Sequence, residues 1–341
     1  MSSLLGWLLS QWLSLWFSFS NRVAFFKEAW FAGKPTWTLA DVPDLTGQVI
    51  IVTGGSSGIG VETIRTLLRR NAKVYLAARN EKASNAVIVR LHSETGQKAL
   101  FLKLDLTDLD SVKVAAREFQ RKETRLDALY NNAGVSHVPV DQTINGYDIV
   151  FHTNVIGPFL LTKLLLPLLL ETRKVRDDKR VRIIHLSSSA HHFAPPQLLD
   201  FATFKDGPAR RKHGLDLNFF YCQSKVANIL VSNEVARRYG SRGVISLAVN
   251  PGNFETPIQR NVPRWIQRVL KPVLFIHPYE WNSLAALWAG TSIEAGEING
   301  KYIIPWGKVG TPRRETYDNS LGNELWTWLE EQPSVSESSW I

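Results

Sequence analysis

The sequence alternates short apolar runs, rich in β-branched residues, with stretches long enough to form helices. Seven such runs occur after residue 45, at 49–52, 73–76, 99–104, 126–130, 181–186, 244–249 and 301–304. Strands that alternate with helices form right-handed crossover units, which cover both faces of a parallel sheet. We therefore expect an α/β fold, a Rossmann-type, doubly wound, seven-stranded parallel sheet.

The chain is expected to form one domain, because no internal repeat and no Gly/Ser-rich or Pro-rich linker interrupts residues 45–310. The least regular stretch, 190–220, predicts an insertion over one edge of the sheet. Prolines within 255–285 predict short helices beside that insertion. The C-terminal part, 311–341, should contain one helix at 321–332 and then a polar end.

Composition excludes several classes of site. The single cysteine, Cys222, rules out an intrachain disulfide and a multi-cysteine zinc site, so packing is its expected role. The histidine pair His191 and His192 has no acidic or cysteine residue at ligand spacing, so we expect no metal site. The net charge of +9 is spread over the chain in short mixed runs, which is typical of solvated faces. We expect no nucleic-acid partner, although this charge could favour an anionic cofactor or an anionic lipid surface.

The first 21 residues carry no charged side chain and are rich in Leu, Trp and Phe. On a helical wheel, a polar stripe lies opposite a broad apolar face; its members are Ser3, Gly6, Ser10, Gln11, Ser14 and Ser18. The stripe is unfavourable for a spanning helix and favours a helix in the membrane plane, with Trp at the headgroup level. A cleavable signal is not expected, because the first cation is Arg22 and bulky Phe17 and Phe19 occupy the cleavage region.

Residues 1–31 are therefore predicted to be a hydrophobic membrane-associating segment. The expected location is an intracellular membrane, the endoplasmic reticulum or the surface of a lipid droplet, with the folded domain in the cytosol. The alternative is that this amphipathic helix packs on its own folded domain or makes a contact in a homodimer.

A glycine-rich run, TGGSSGIG, follows the first predicted strand directly, and a helix is expected at 61–70. Glycines let backbone N–H groups approach a pyrophosphate, and a helix N-terminus adds a favourable dipole. The spacing TGxxxGxG differs from the usual GxGxxG fingerprint, so an ordinary glycine turn is the alternative. The residues expected to contact a dinucleotide here are Gly54, Ser56, Ser57, Gly58, Ile59 and Gly60.

The second strand ends at Arg79 and Asn80, where an NAD-binding unit would place an acidic residue on the ribose 2′-hydroxyl. A guanidinium at this point can pair with a 2′-phosphate, so the predicted cofactor is NADP. A surface arginine is the alternative, and Glu81 lies close by.

Two further strand ends contribute candidate cofactor contacts. Asp105 and Leu106 follow the third strand, where the carboxylate could accept a hydrogen bond from an adenine amino group or cap the next helix. Asn132, Ala133 and Gly134 follow the fourth strand. Ligands of open α/β sheets bind at the carboxyl ends of the strands, so these loops are expected to converge on one site.

Tyr221 and Lys225 are spaced to lie on the same face of a helix. A phenol beside an ammonium group can transfer a proton at neutral pH. For an isolated YxxxK pattern, a plain amphipathic helix is the alternative.

Together these motifs resemble the classical short-chain dehydrogenases/reductases. The resemblance extends from about residue 45 to residue 306 and rests on TGGSSGIG, Asp105, NNAG, Asn154, Ser188, YCQSK and PGNFET in that order. Within the family, the chain is most similar to the retinol dehydrogenase-like branch and to its fungal members. With NADP(H) predicted from Arg79, the resemblance implies an oxidoreductase that transfers a hydride to or from an alcohol, ketone or aldehyde. The membrane-like N-terminal segment and the aromatic residues near the insertion 190–220 favour a lipophilic substrate. A non-catalytic NADPH-binding sensor or scaffold is the alternative.

The resemblance also implies catalytic roles. Tyr221 would be the general acid in carbonyl reduction and the general base in alcohol oxidation, while Lys225 would hold the nicotinamide ribose and lower the phenol pKa. Ser188, the middle one of three serines, would bind the substrate oxygen. Asn154 would hold a water that relays protons to Lys225, with helix capping as its alternative.

Four more residues are implied as nicotinamide contacts, namely Pro251, Gly252, Phe254 and Thr256. The gap between Ser188 and Tyr221 is wider than is usual in the family. The insertion 190–220 is therefore expected to form a substrate lid that carries His191, His192, Phe193 and Phe219.

Overall fold

The computed structural model describes residues 19–136, 138–139, 142–213, 217–254 and 277–332. Its strands are β1 (Val49–Thr53), β2 (Lys73–Ala78), β3 (Leu100–Lys103), β4 (Ala128–Asn131), β5 (Thr143–Ile144), β6 (Tyr147–Asp148), β7 (Val181–Leu186), β8 (Val244–Val249), β9 (Lys301–Ile304) and β10 (Lys308–Val309).

Eight of these strands form the central sheet, in the order β10-β9-β8-β7-β4-β1-β2-β3. All neighbouring pairs from β9 to β3 are parallel, so the prediction of seven parallel strands is confirmed. The short strand β10 pairs antiparallel with β9 and was not predicted. Strand order reverses between β1 and β4, which opens a crevice at the carboxyl ends of these two strands.

Helices cover both faces of the sheet. They are α1 (Phe19–Trp30), α2 (Gly58–Arg69), α3 (Glu81–Thr95), α4 (Leu109–Lys122), α5 (Ile149–Val175), α6 (Pro208–Arg211), α7 (Leu217–Tyr239), α8 (Leu284–Thr291), α9 (Ile293–Gly296) and α10 (Asn319–Glu330). Apolar residues of α4, α5, α7 and α10 form the core on one face, and those of α2, α3 and α8 form the core on the other. Coverage of the strands on both sides explains why the run 49–52 is continuously apolar and why every residue of 181–186 is buried, including Arg182 and His185.

Helix α5 is long and apolar enough to cross a bilayer, and it is the one such helix within the described residues. Because 78% of its most apolar window is buried in the fold, its hydrophobicity is explained by its central position between the sheet and neighbouring helices.

The first residues of the insertion 190–220 do not form the expected lid, because they are packed inside the fold. The turn Ser189–Phe193 is packed beneath α1, where His191 and His192 are fully buried and hydrogen-bonded. These two imidazoles therefore do not face a substrate space from a lid. Further on, α6 packs over the β5-β6 hairpin through a buried ion pair in which Arg210 donates to Asp148 at 3.0 Å.

The predicted C-terminal helix is confirmed as α10, displaced by two residues from the expected bounds. The expected short helices within 255–285 fall partly on residues 255–276, outside the described residues, and Thr256 lies there too. Residues 1–18 of the predicted membrane-associating segment are likewise outside them, whereas its end forms α1.

Candidate active site

The glycine turn lies at the carboxyl end of β1 and contacts the loop after β4. Gly54 has a φ of +67°, and a Cβ there would lie 2.9 Å from the Cα of Ala133. A Cβ on Gly60 would lie 2.6 Å from the carbonyl oxygen of Gly54. Any larger residue would push these segments apart, so glycine at both positions is explained by close backbone packing.

Thr53 joins the same two loops. Its hydroxyl accepts the N–H groups of Asn132 and Ala133, both at 3.0 Å, and donates to the carbonyl of Tyr130 at 3.2 Å. The Asn132 amide donates to the Thr53 carbonyl at 2.6 Å. The side chain of Asn132 therefore holds the loop after β4 against the end of β1. Sequence reasoning treated Thr53 only as part of the glycine run.

The N-terminus of α2 fits a phosphate group. Ser57 precedes the helix in an extended conformation, and within the described chain its side chain makes no capping hydrogen bond to the helix. The first N–H groups of a helix have no intrahelical partner, and the helix dipole favours an anion beside them. Because Gly58 and Ile59 begin this helix, the predicted pyrophosphate contacts occupy one accessible turn.

The rim after β2 carries two cations. Arg79 is exposed, and the Lys103 ammonium at the end of β3 donates to the Arg79 carbonyl oxygen. Asn80 caps α3 by accepting the N–H of Ala83 at 3.0 Å. Lys103 was missed by sequence reasoning, and its one signal was its place at the end of the third strand, next to Asp105.

One oxygen of Asp105 stabilises its own loop. Oδ1 accepts the N–H of Thr107 at 3.0 Å and its hydroxyl at 2.7 Å. The next residue, Leu106, is held against α5, because its carbonyl lies 3.1 Å from Nδ1 of His152. A Cβ on Gly157 would lie 2.6 Å from the same carbonyl. The following helix α4 is capped by Asp108, whose side chain accepts the N–H of Asp110 at 3.0 Å, so the capping alternative for Asp105 is wrong.

Tyr221 and Ser188 meet at the carboxyl end of β7. Burial raises the pKa of the Tyr221 phenol, and the neighbouring Ser188 side chain opposes this increase. Ser187 and Ser189 are buried, and Ser187 donates to the Lys225 carbonyl at 2.8 Å. The partly exposed Ser188 is thus the serine that the fold places beside the phenol.

Lys225 lies one helical turn after Tyr221, with Nζ 5.3 Å from the centre of the phenol ring. The side chain is 4% exposed and donates to the carbonyl of Leu186 at 2.8 Å. Burial lowers the pKa of Lys225 to about 8, so the side chain still carries its charge at neutral pH.

Asn154 connects three elements around this lysine. It lies in a π-helical segment of α5, His152–Ile156, a distortion often found at functional sites. Its Oδ1 accepts the N–H of Val135 at 2.8 Å, and its amide donates to the Val135 carbonyl and to Ser224 of α7. A Cβ on Gly134 would lie 3.2 Å from this Oδ1 and 3.6 Å from Nζ of Lys225. Asn154 Oδ1 and Lys225 Nζ therefore both lie next to Gly134.

The loop after β8 closes this region. Gly252 has a φ of +98°, and its N–H donates to Oδ1 of Asn250 at 3.1 Å. Pro251 is buried, and Phe254 packs against Trp306 with ring centres 5.7 Å apart. The predicted contacts of these residues with nicotinamide stay a prediction.

A buried polar network behind Ser188 was missed by sequence reasoning. Its members are Glu28 of α1, His191, His192, Asn250 and Tyr302. Glu28 had no motif around it, since its partners lie more than a hundred residues away in the sequence. Within the described ranges, no group of three or more His, Cys, Asp or Glu side chains has the arrangement of a metal site.

Comparison with known proteins identifies the family. Residues 48–208 match the sequence profile of the short chain dehydrogenases. A short-chain dehydrogenase/reductase of Armillaria gallica is 47% identical over 304 residues, which are 89% of this chain and 95% of the relative. The prediction of fungal relatives is confirmed, and the assignment to the retinol dehydrogenase-like branch stays a prediction.

Solved structures show the same fold. A crystal structure of a protein from Mycobacterium paratuberculosis has 28% identity and a TM-score of 0.64, over 86% of this chain and 96% of the other. RhlG of Pseudomonas aeruginosa, solved as an NADP active-site complex, has 24% identity and a TM-score of 0.60, over 77% of this chain and 96% of RhlG. With the arrangement of Ser188, Tyr221 and Lys225 described above, these likenesses establish that the chain belongs to the short-chain dehydrogenase/reductase family of oxidoreductases.

Proposed function

We propose that this protein is an NADP(H)-dependent oxidoreductase that transfers a hydride between nicotinamide and a lipophilic alcohol, ketone or aldehyde. Tyr221 is its general acid and base. The observation that carries the proposal is the position of the Tyr221 phenol beside the Ser188 side chain, with the Lys225 ammonium 5.3 Å from the centre of the phenol ring. Two hydroxyl groups thereby converge on one point, where a carbonyl oxygen can accept a hydrogen bond from each.

The reduced nicotinamide, when bound, supplies the hydride, and the protein supplies the proton and the orientation. Burial keeps Tyr221 protonated at neutral pH, so it is a proton donor to the carbonyl oxygen. Ser188 stabilises the negative charge that develops on the same oxygen. Lys225, still charged at neutral pH, stabilises the phenolate that remains after proton transfer. This arrangement favours carbonyl reduction as the working direction.

The preference for NADP is supported by charge at the end of β2. Arg79 is exposed at the rim, and Lys103 is bound to its carbonyl oxygen. Two cations at this point would complement a ribose 2′-phosphate, and β2 is followed by Arg79 instead of the acidic residue that binds a 2′-hydroxyl. Glu81 belongs to the first turn of α3.

The lipophilic substrate and the membrane surface are proposed together. Helix α1 leaves Phe26 51% exposed, and Phe31 just beyond it is 78% exposed. In the sequence this helix directly follows the uncharged segment 1–18, and α1 packs on the turn that follows Ser188. We place the protein at the endoplasmic reticulum or lipid droplet surface, with the folded domain in the cytosol.

The decisive experiment replaces Tyr221→Phe, which keeps the ring and removes the acidic hydroxyl. Turnover of NADPH with a panel of ketones, aldehydes and quinones should fall by about 10²- to 10⁴-fold, because one general acid is lost. NADPH affinity, measured by fluorescence titration, should change little. Tyr239→Phe on the same helix is the matched control, since that ring packs on Trp326 instead.

Three outcomes would count against the proposal. Unchanged turnover in Tyr221→Phe would remove Tyr221 from the chemistry. NADPH binding without turnover of any carbonyl in the panel would favour the sensor or scaffold alternative. A panel in which only small hydrophilic ketones react would contradict the lipophilic substrate class.

A further inference from the structure

Glu28 is a buried carboxylate in a helix that carries no recognised motif. It lies near the end of α1, is 7% exposed, and reaches across to two loops of the active site. Oε1 lies 2.8 Å from Nε2 of His192, and Oε2 accepts from the Asn250 amide at 3.1 Å and the Tyr302 hydroxyl at 3.0 Å. We call the Glu28 carboxylate and its three donors, His192, Asn250 and Tyr302, the Glu28 junction. Removing the carboxylate would leave each of these buried donors without this partner, so the carboxylate holds the three side chains in place.

Each branch of this junction leads toward the proposed chemistry. Asn250 receives the N–H of Gly252 on its Oδ1 at 3.1 Å, so Glu28 and Gly252 hold opposite ends of one amide. His192 lies in the short turn that begins after Ser188. Glu28 therefore connects the loop after β8 to the turn that carries Ser188.

The neighbouring His191 supports the same turn from the other side. Its Nδ1 lies 2.7 Å from the Ser188 carbonyl, which can only accept, so Nδ1 carries the proton. Its Nε2 then accepts the N–H of Arg313 at 3.3 Å. Burial holds the pKa of His191 well below its ordinary value, which agrees with this neutral form. The Tyr302 hydroxyl, 3.4 Å from the same Nδ1, is therefore free to donate to Glu28.

Helix α1 is fixed to the domain by further contacts. The rings of Phe25 and Phe193 meet at 4.4 Å between centres, which places α1 against the end of the Ser188 turn. Beyond the helix, the Trp306 indole donates to the Gly33 carbonyl at 2.8 Å. Helix α1 is thus packed directly against the turn that follows Ser188.

We propose that Glu28 is a positioning residue that holds Ser188 and the loop at Gly252 in register with Tyr221. This inference rests on the proposed oxidoreductase function and deepens it, because it makes the N-terminal helix part of the catalytic geometry. Glu28 touches neither substrate nor nicotinamide. It acts through His192 and Asn250, as outer hydrogen-bond partners act on the groups they orient.

The test compares Glu28→Gln with Glu123→Gln in the full chain. Glu123 is a matched control because it is 8% exposed and accepts from a tyrosine hydroxyl, that of Tyr75 at 2.5 Å. It lies near the start of β2, at the amino ends of the strands, whereas the candidate site lies at their carboxyl ends. Glu28→Gln should lower kcat by about 10- to 100-fold, the effect expected of a small misplacement of a catalytic group.

Three further readouts separate positioning from general stability. NADPH affinity should change by less than about threefold in Glu28→Gln, because the glycine turn is untouched. Hydrogen exchange should accelerate in residues 188–193 and 250–254 but not in 49–60. Tyr302→Phe, which removes one donor and leaves the carboxylate, should show the same changes to a smaller degree. Glu123→Gln should lower thermal stability without a fall in kcat or faster exchange at 188–193.

Equal falls in kcat for Glu28→Gln and Glu123→Gln would overturn the proposal, and so would unchanged exchange at 188–193 in Glu28→Gln. The two proposals fail separately. If the wild-type protein turned over no carbonyl, the proposed function would fail, whereas the exchange comparison would still decide whether Glu28 orders the Ser188 turn.

Discussion

Lys225 is the residue at which burial and charge conflict most directly. It is 4% exposed, its Nζ donates to the Leu186 carbonyl, and burial lowers its pKa to about 8. An ordinary lysine has a pKa of 10.5, so the folded protein holds the proton less tightly than the unfolded chain does. The difference corresponds to about 3 kcal/mol of destabilisation when the group is charged in both states. Keeping a charged lysine here thus costs stability, and this cost is consistent with the role proposed for Lys225 beside Tyr221.

The pH dependence of stability follows from this shift. The unfolded chain binds more protons between about pH 8 and 10.5, so the contribution of Lys225 to the unfolding free energy rises with pH through that window. Relative to Lys225→Met, the wild type should gain about 2 kcal/mol between about pH 7 and pH 9.5. Urea unfolding of both proteins at several pH values measures this, and a constant difference would contradict the lowered pKa.

The proposed preference for NADP is tested at a single residue of the rim after β2. Arg79→Asp should repel a 2′-phosphate and offer an acceptor to a 2′-hydroxyl, so the preference should move from NADPH toward NADH. The ratio of kcat/KM for the two cofactors measures it, and we expect a change of about tenfold or more. Arg69, at the far end of α2, is a control cation; an unchanged NADPH KM in Arg79→Asp would exclude pairing with the phosphate.

At the scale of elements, α8 is held unusually close to the sheet. A Cβ on Gly290 would lie 1.8 Å from the hydroxyl oxygen of Tyr130 and 2.3 Å from its Cζ. Tyr130 is fully buried in β4, and its hydroxyl has no hydrogen-bond partner among the described residues. The helix can approach β4 this closely because position 290 has no side chain.

Gly290→Ala is therefore expected to destabilise the protein by about 1 to 3 kcal/mol or more, although alanine normally favours helices. Tyr130→Phe is its counterpart and should be neutral or slightly stabilising, because it removes a buried hydroxyl without a partner. Thermal unfolding of the two single variants and the double variant measures these effects. If Gly290→Ala were as stable as the wild type, this result would contradict the close approach of Gly290 in α8 to Tyr130 in β4.

At the scale of the whole molecule, the N-terminal region has two parts with different expected roles. Helix α1 belongs to the folded domain through Glu28 and Phe25. The uncharged segment 1–18 precedes α1 in the sequence, and the described residues leave Phe26 and Phe31 exposed. A deletion that removes α1 would damage the fold, so the membrane hypothesis is tested by removing residues 1–18 alone.

Deletion of residues 1–18 should move the protein from the membrane pellet to the soluble fraction of a lysate, because burial of apolar surface in the bilayer is lost. Turnover of a water-soluble ketone by the purified protein should be retained. Phe26→Ser in the full chain is a milder variant and should weaken sedimentation with vesicles that contain anionic lipid. Unchanged pelleting of the deletion variant would remove the membrane role of this segment.

The sequence by itself determined the sheet and the place of the site. The seven apolar runs became the seven parallel strands, and the TGGSSGIG, NNAG and YCQSK motifs lie at their carboxyl ends. These features could be predicted because periodicity and glycine spacing are local properties of the chain. The order of these motifs along the chain is likewise a property of the sequence, and it indicates the family without any knowledge of tertiary contacts.

The tertiary structure alone decided which side chains meet. It buried Ser187 and Ser189, so that Ser188, the serine that the resemblance implied, lies beside Tyr221, and it buried His191 and His192, which sequence reasoning had assigned to a lid. It also brought Glu28 to partners far along the chain, and Lys103 to the rim beside Arg79. Such contacts arise from packing between distant segments, and a single sequence has no local pattern that specifies them.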